Sequence, residues 1–336
     1  MTSLLLLLAG CDQVMALLND PSKAVGEAES KLKGGDLAAA SAAYDEAAKK
    51  APTNVDAASG AAYMKVLAGD FAGADALLAA AEAGAGEKAG DVKLRRALVA
   101  LEMKDLDKVK ELAVASGNPT GKLLAAEVEL ADGNRDAAKA LLEEAKGAGG
   151  PVGDTATKYL ELMGDQNPLV AGLSEAQALW ALGERKVAVR SVEDLVKAYA
   201  ESRDDGADQL LLWAGRAAAV GETQIAGNLL DAITVPPAGQ SWRVQATRGI
   251  AACADGEAAK CKQIFDALQT AAPSDGYTDA RVTAALAIAE KDADAAKELL
   301  DGLSGDAAAR ALAAVGDKSA GAEAAVDPIL KAQMGG

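Results

Sequence analysis

Histidine is absent from this chain of 336 residues, and that single absence removes several chemistries. There is no imidazole general base, no Ser-His-Asp triad and no His-ligated metal. Aromatic residues make up only 3% of the sequence, and there are three cysteines. Basic residues are outnumbered, 34 Lys and Arg against 50 Asp and Glu, for a formal charge of −16. Such a surface repels nucleic acid and anionic membranes rather than steering them in. No run approaches the ~20 apolar residues of a membrane span. What is plentiful is alanine, 82 residues or about a quarter of the chain. Alanine is the best helix former and a poor strand former, so the expected fold is all-α, with helices packed closely.

The chain opens with Leu4–Leu8 and then Ala9, Gly10 and Cys11. A short apolar run ending in small residues suits a signal peptidase site. The segment Leu8-Ala9-Gly10-Cys11 resembles the lipobox of bacterial lipoproteins. The resemblance implies cleavage before Cys11 and a diacylglycerol on its sulfur, although no Lys or Arg precedes the leucines. It implies a protein of the bacterial cell envelope, lipid-anchored and facing the periplasm or the cell surface. With Cys11 lipidated, Cys253 and Cys261 remain as an even pair across the turn Ala254-Asp255-Gly256. In an oxidising compartment that pair is a candidate disulfide; two small buried thiols are the alternative.

A repeated turn dominates the rest. Gly35-Asp36, Gly69-Asp70, Lys104-Asp105, Gly133-Asn134, Gly183-Glu184, Gly221-Glu222, Gly256-Glu257, Lys291-Asp292 and Gly316-Asp317 recur at intervals of 25 to 38 residues, with one gap of 50. A period near 34 is the length of two short helices with their turns. Seven residues before each turn stands Ala or Gly: Ala28, Ala62, Ala97, Ala126, Ala176, Ala214, Gly249, Ala284 and Ala309. Five residues after stand Ala40, Ala74, Val109, Ala138, Ala188, Ala226, Cys261, Ala296 and Gly321. Small residues in both columns let the two helices of a hairpin cross closely. Nine after the turn, size returns at Tyr44, Leu78, Leu142, Val192, Leu230, Phe265 and Leu300.

These columns resemble the tetratricopeptide repeat, and the first unit carries Gly35, Ala40, Tyr44, Ala47 and Pro52 where that family has its turn Gly, small Ala, aromatic, Ala and terminal Pro. The first helices depart from the family, placing Lys65, Lys93, Arg96 and Arg248 in columns that are usually large and apolar. The resemblance implies a right-handed α-solenoid of about nine helical hairpins. The expected organisation is a signal peptide at 1–10, a lipidated tether at 11–21, helical repeats at 22–146, a Gly/Pro-rich linker with one helix at 147–172, and further repeats at 173–336. Within the linker, Gly147–Gly153 reads as a loop and a helix is expected over about Thr155–Met163.

No motif carries catalysis, so no enzyme activity, cofactor or metal site is expected. The glycines at 147–153 lack the Lys-Ser/Thr of a phosphate loop, and Asp204, Asp205 and Asp275 lack calcium-loop spacing. Solenoids of this kind expose a long surface that holds peptides or protein faces. The expected function is a non-enzymatic interaction scaffold or assembly factor of the cell envelope. Alternatives are a self-assembling structural subunit and a periplasmic ligand-binding protein. Partners would be other envelope proteins or peptides, neutral or basic, with the membrane reached through the N-terminal lipid and no nucleic acid bound. Tyr63, six before its turn, is a candidate partner contact. So is Trp180, although its column is apolar throughout and such a column is more often core. Trp213 reads as core, and Trp242 as a staple at a helix start.

Overall fold

The computed structural model describes residues 21–202, 206–303 and 311. These residues contain seventeen α-helices and no strand. Eight hairpins are formed by α1 (Pro21–Lys33) with α2 (Leu37–Lys50), α3 (Val55–Leu67) with α4 (Phe71–Glu82), α5 (Ala89–Glu102) with α6 (Leu106–Ala115), α7 (Pro119–Ala131) with α8 (Arg135–Lys146), α10 (Pro168–Ala181) with α11 (Arg185–Ala198), α12 (Ala207–Ala219) with α13 (Thr223–Asp231), α14 (Ser241–Asp255) with α15 (Ala258–Leu268), and α16 (Ser274–Ile288) with α17 (Ala293–Leu300). A single helix, α9 (Gly150–Met163), stands between the fourth and fifth hairpins. The chain is thus an α-solenoid of helical hairpins; the ninth expected turn, Gly316-Asp317, lies outside the described residues.

The turn inside seven of the hairpins is one structure repeated. At Gly69-Asp70, the Gly69 N–H bonds to the Val66 carbonyl at 2.9 Å and the Asp70 N–H to the Lys65 carbonyl at 2.8 Å. The same pair of bonds closes the turns at Gly35, Lys104, Gly133, Gly183, Gly221 and Gly256. This is the Schellman closure, which satisfies the last carbonyls of a helix but requires a left-handed residue. Glycine supplies it at six positions, with φ between 75° and 84°. At the seventh, Lys104 adopts φ 59°, a positive φ matched by no other non-glycine among the described residues. The next residue starts the following helix. The side chains of Asp36, Asp70, Asp105 and Asp292 each accept a bond from the backbone N–H three residues on, at 2.9 to 3.2 Å. At Asp36, Asp70 and Asp105 one residue therefore closes one helix with its backbone N–H and caps the next with its side chain.

The small-residue columns are buried. Every described member of the minus-seven and plus-five columns is inaccessible to solvent, from Ala28 and Ala40 to Ala284 and Ala296. Gly249 shows why the column stays small: a Cβ there would stand 2.8 Å from the Phe265 ring. The large residues of the plus-nine column fill the space beside them, and Tyr44, Leu78, Leu142, Val192, Leu230, Phe265 and Leu300 are all buried.

The expected loop over 147–153 is shorter than the sequence suggested. Helix α9 begins at Gly150, with Pro151 in its first turn. Proline's fixed φ and missing N–H suit that position, so Gly-Pro here starts a helix instead of delaying one. Gly153 lets α9 approach α8, because a Cβ would stand 2.9 Å from the Lys146 carbonyl oxygen.

By packing, the chain separates into two compact units that meet at Ala125 and Ala126. In the first unit, Tyr44 packs with Val25, Ala57, Ala61 and Met64, and Leu78 packs with Val55, Val92 and Val99. An ion-pair cluster ties α4, α5 and α6: Asp75 accepts from Arg96 at 3.0 Å and Lys108 at 2.8 Å, and Arg96 reaches Glu82 at 2.6 Å. Burial works to raise the Asp75 pKa, but the bonds from Lys108 and Arg96 outweigh it and hold the carboxyl below its usual range. In the second unit one continuous core runs from Leu169 and Leu173 through Trp213 and Leu229 to Phe265 and Leu300.

Candidate functional site

In the second unit, polar and aromatic side chains join across α7, α9, α10 and α12. The Tyr159 hydroxyl donates to Oε1 of Glu127 at 3.1 Å. The Gln177 side chain lies beside Tyr159, and its Oε1 accepts from Nη1 of Arg216 at 2.7 Å. The Arg216 guanidinium lies 4.5 Å from the ring centre of Trp213 and 4.9 Å from that of Trp180. The two indoles meet edge to face at 5.9 Å, and Arg185 approaches Trp180 from elsewhere at 5.6 Å. Cation–π contacts of this kind fix a guanidinium that would otherwise sample many rotamers.

The helices place these groups by register. Glu127 and Gln177 each stand six residues before their turn glycines, Gly133 and Gly183; Arg216 stands five before Gly221, and Tyr159 five before Gly164. All four belong to helices that precede a turn, so α9 takes its place in the row of first helices, between α7 and α10.

The electrostatics are unusual for a helical surface. Glu127 is pushed up to about 7 because burial disfavours its charged form, and the Tyr159 hydrogen bond only partly offsets this. Tyr159 is itself raised, by burial and then by the neighbouring Glu127. Burial lowers Arg216. Neither Glu127 nor Arg216 forms an ion pair among the described residues. Withdrawing a charge from water without pairing it is costly. Strongly perturbed groups of this sort concentrate at functional sites. Among the described residues no group of His, Cys, Asp and Glu is placed to hold a metal ion.

Of the residues singled out from sequence, Trp180 belongs to this site. It is partly buried, which combines the core and surface readings of its column. Trp213 is fully buried beneath it. Tyr63 lies on α3 in the first unit, partly buried against the cluster around Tyr44 and Met64. Cys253 and Cys261 are joined as a disulfide, with Cα atoms 5.2 Å apart, between the last turn of α14 and the first turn of α15. Cys11 lies outside the described residues. The Trp242 ring packs over Gly276, where a Cβ would stand 2.3 Å away. Glu127, Tyr159, Gln177 and Arg216 were not identified from sequence. No column marked them: Glu127 and Gln177 share the minus-six position with Tyr63, but Leu98, Gly215, Ile250 and Ala285 hold it elsewhere.

No family model matches this chain, and no curated protein matches it. Among solved structures it is similar to the crystal structure of the TPR domain of P58(IPK), with 14% identity and a TM-score of 0.26 over 92% of this chain and 100% of that one.

Proposed function

We propose that this chain is a non-enzymatic protein-binding scaffold of the bacterial cell envelope, tethered by a lipid on Cys11. The observation that carries the binding reading is the Glu127–Tyr159–Gln177–Arg216 line. Two ionisable groups are held partly out of water, without ion pairs, on a row of first helices where neighbours can share a ligand. Groups displaced in this way concentrate where proteins bind or react. The partner is a neutral or basic protein segment, because a chain of charge −16 disfavours acidic ones. Trp180 and Tyr63 supply aromatic contact area, the residue type that dominates binding energy at interfaces. The envelope reading rests on Leu4–Leu8 followed by Ala9-Gly10-Cys11, with the Cys253–Cys261 pair suiting an oxidising compartment. Among the described residues no helix is long and apolar enough to cross a membrane.

A photo-crosslinking amino acid at position 180 in native membranes tests the scaffold. It should capture a discrete protein, and binding of that isolated protein should weaken with Glu127→Gln, with Arg216→Ala and with salt rising to physiological strength. Absence of any crosslink from a folded protein would remove the reading. The tether is tested separately, by labelled fatty acid that should appear on the wild type and vanish with Cys11→Ala.

A further inference from the structure

The single helix α9 breaks the pairing of the second unit in a way that leaves a place empty. Every other first helix is followed by a second helix of eight (α17) to fourteen (α2, α11) residues. After α9 only Gly164–Asn167 intervene before α10 begins. The first row is continuous through α9, because Tyr159 bonds to Glu127 of α7 and α9 packs on α10 beside Gln177. The second row passes from α8 to α11 with nothing between. At that place lies a groove of about 670 Å³. One wall is Arg135, in the first turn of α8; the floor is Pro168, Ala171 and Gly172 of α10; the far wall is Leu195, Ala198 and Tyr199, at the end of α11.

The lining is that of a helix seat. Gly172 lets the Leu195 side chain lie against α10 as part of the lining, since a Cβ there would stand 2.6 Å from Leu195 Cδ2. Ala198 adds little height, and Tyr199 is 40% exposed. Arg135 anchors the near end by bonding to Glu175, to Ser174 Oγ at 3.2 Å and to the carbonyls of Met163 and Ala171, each at 3.3 Å. Its charge is therefore spent on Glu175. Asp194 on the rim keeps a carboxylate that is 77% exposed, with Lys197 no nearer than 3.8 Å.

We propose that this groove receives one amphipathic helix of a partner protein, which completes the second row between α8 and α11. The helix has the length of its resident counterparts, about 12 residues or three turns. It presents an apolar stripe to Pro168, Leu195 and Tyr199 and a Lys or Arg to Asp194. The carboxylate and the acidic chain around it select a basic helix over an acidic one. This surface is separate from the Glu127–Arg216 line, which faces the first row, and the two stand or fall independently.

The test uses two pools of displayed peptides of about 12 residues, each stapled into a helix, with varied apolar positions and either Lys or Glu on the flanks. Both are selected against the full chain. The Lys pool should enrich. Ala198→Arg and Tyr199→Ala should each weaken the selected binders by roughly tenfold or more, and Asp194→Lys should shift preference to the Glu pool. These positions are exposed, so the variants retain the fold, which their melting curves verify. Asp231→Lys, an exposed change on α13, should leave binding intact. Failure of both pools to enrich, or binders indifferent to Ala198→Arg and Asp194→Lys, would overturn the proposal.

Discussion

The Tyr159 hydroxyl and the Glu127 carboxylate meet at 3.1 Å between α9 and α7; burial raises both pKa values, Glu127 adds to the rise of Tyr159, and the hydroxyl partly offsets that of Glu127. The hydroxyl is the one donor that Glu127 finds among the described residues. Tyr159→Phe keeps the ring and removes that donor, so a desolvated carboxyl is left unsatisfied. The expected cost is about 1–2 kcal/mol. All three tryptophans belong to the second unit, so its denaturant unfolding can be followed by their fluorescence. An unchanged midpoint would show that the bond is not formed.

Glu127 also gives the second unit a pH dependence of unusual sign. Its folded pKa of about 7 lies above the ordinary 4.5. The folded state therefore holds a proton that the unfolded chain releases, and stability falls as pH rises from about 4.5 to about 7, then levels off. The full difference is on the order of 3 kcal/mol. Glu127→Gln should flatten this component and raise stability at pH 8. Identical pH profiles for wild type and variant would contradict the assignment.

The buried columns predict a sharp contrast between alanines. Ala62→Leu or Ala226→Leu forces three heavy atoms into a closed helix crossing and should cost roughly 1–3 kcal/mol. Lys139→Leu, on the exposed side of α8, should be near neutral. Equal melting shifts for buried and exposed substitutions would show the columns to be misplaced.

Lys104 offers the opposite effect. It holds a left-handed conformation that glycine occupies in the six equivalent turns. Lys104→Gly removes that strain, partly offset by the greater freedom of glycine when unfolded, and should stabilise the first unit by about 0.5–1 kcal/mol. Thermal unfolding decides it; a lower melting temperature would mean that the Lys104 side chain contributes more than its backbone costs.

The turns were legible in the sequence because they are local. A Gly followed by Asp, Asn or Glu specifies a left-handed stop and a cap within five residues, and Ala62 or Ala226 can be placed by counting from it. The start of α9 was not legible, since Gly149, Gly150 and Pro151 suit a loop as well as an N-terminus, and only packing on α8 decides. The Glu127–Arg216 line was hidden for a different reason. Its members lie about 20 to 40 residues apart, and each alone looks like an ordinary polar residue on a helix surface. Their desolvation arises only when four helices stand side by side.

The disulfide fixes a distance that applies beyond its own hairpin. Cys253 stands three before its turn and Cys261 five after, with Cα atoms 5.2 Å apart. The same two register positions hold Leu32 and Ala40, Val66 and Ala74, Leu130 and Ala138, and Ala218 and Ala226, always eight residues apart. In each of these hairpins the turn is closed by the same pair of backbone bonds, which predicts that each pair stands within bridging reach. The solenoid thus carries a row of latent cross-link sites, of which one is occupied. Ala218→Cys with Ala226→Cys, both small and fully buried, would staple the neighbouring hairpin without a change of backbone, and a ladder of such staples could lock the repeats one at a time to find which of them must open when a partner binds.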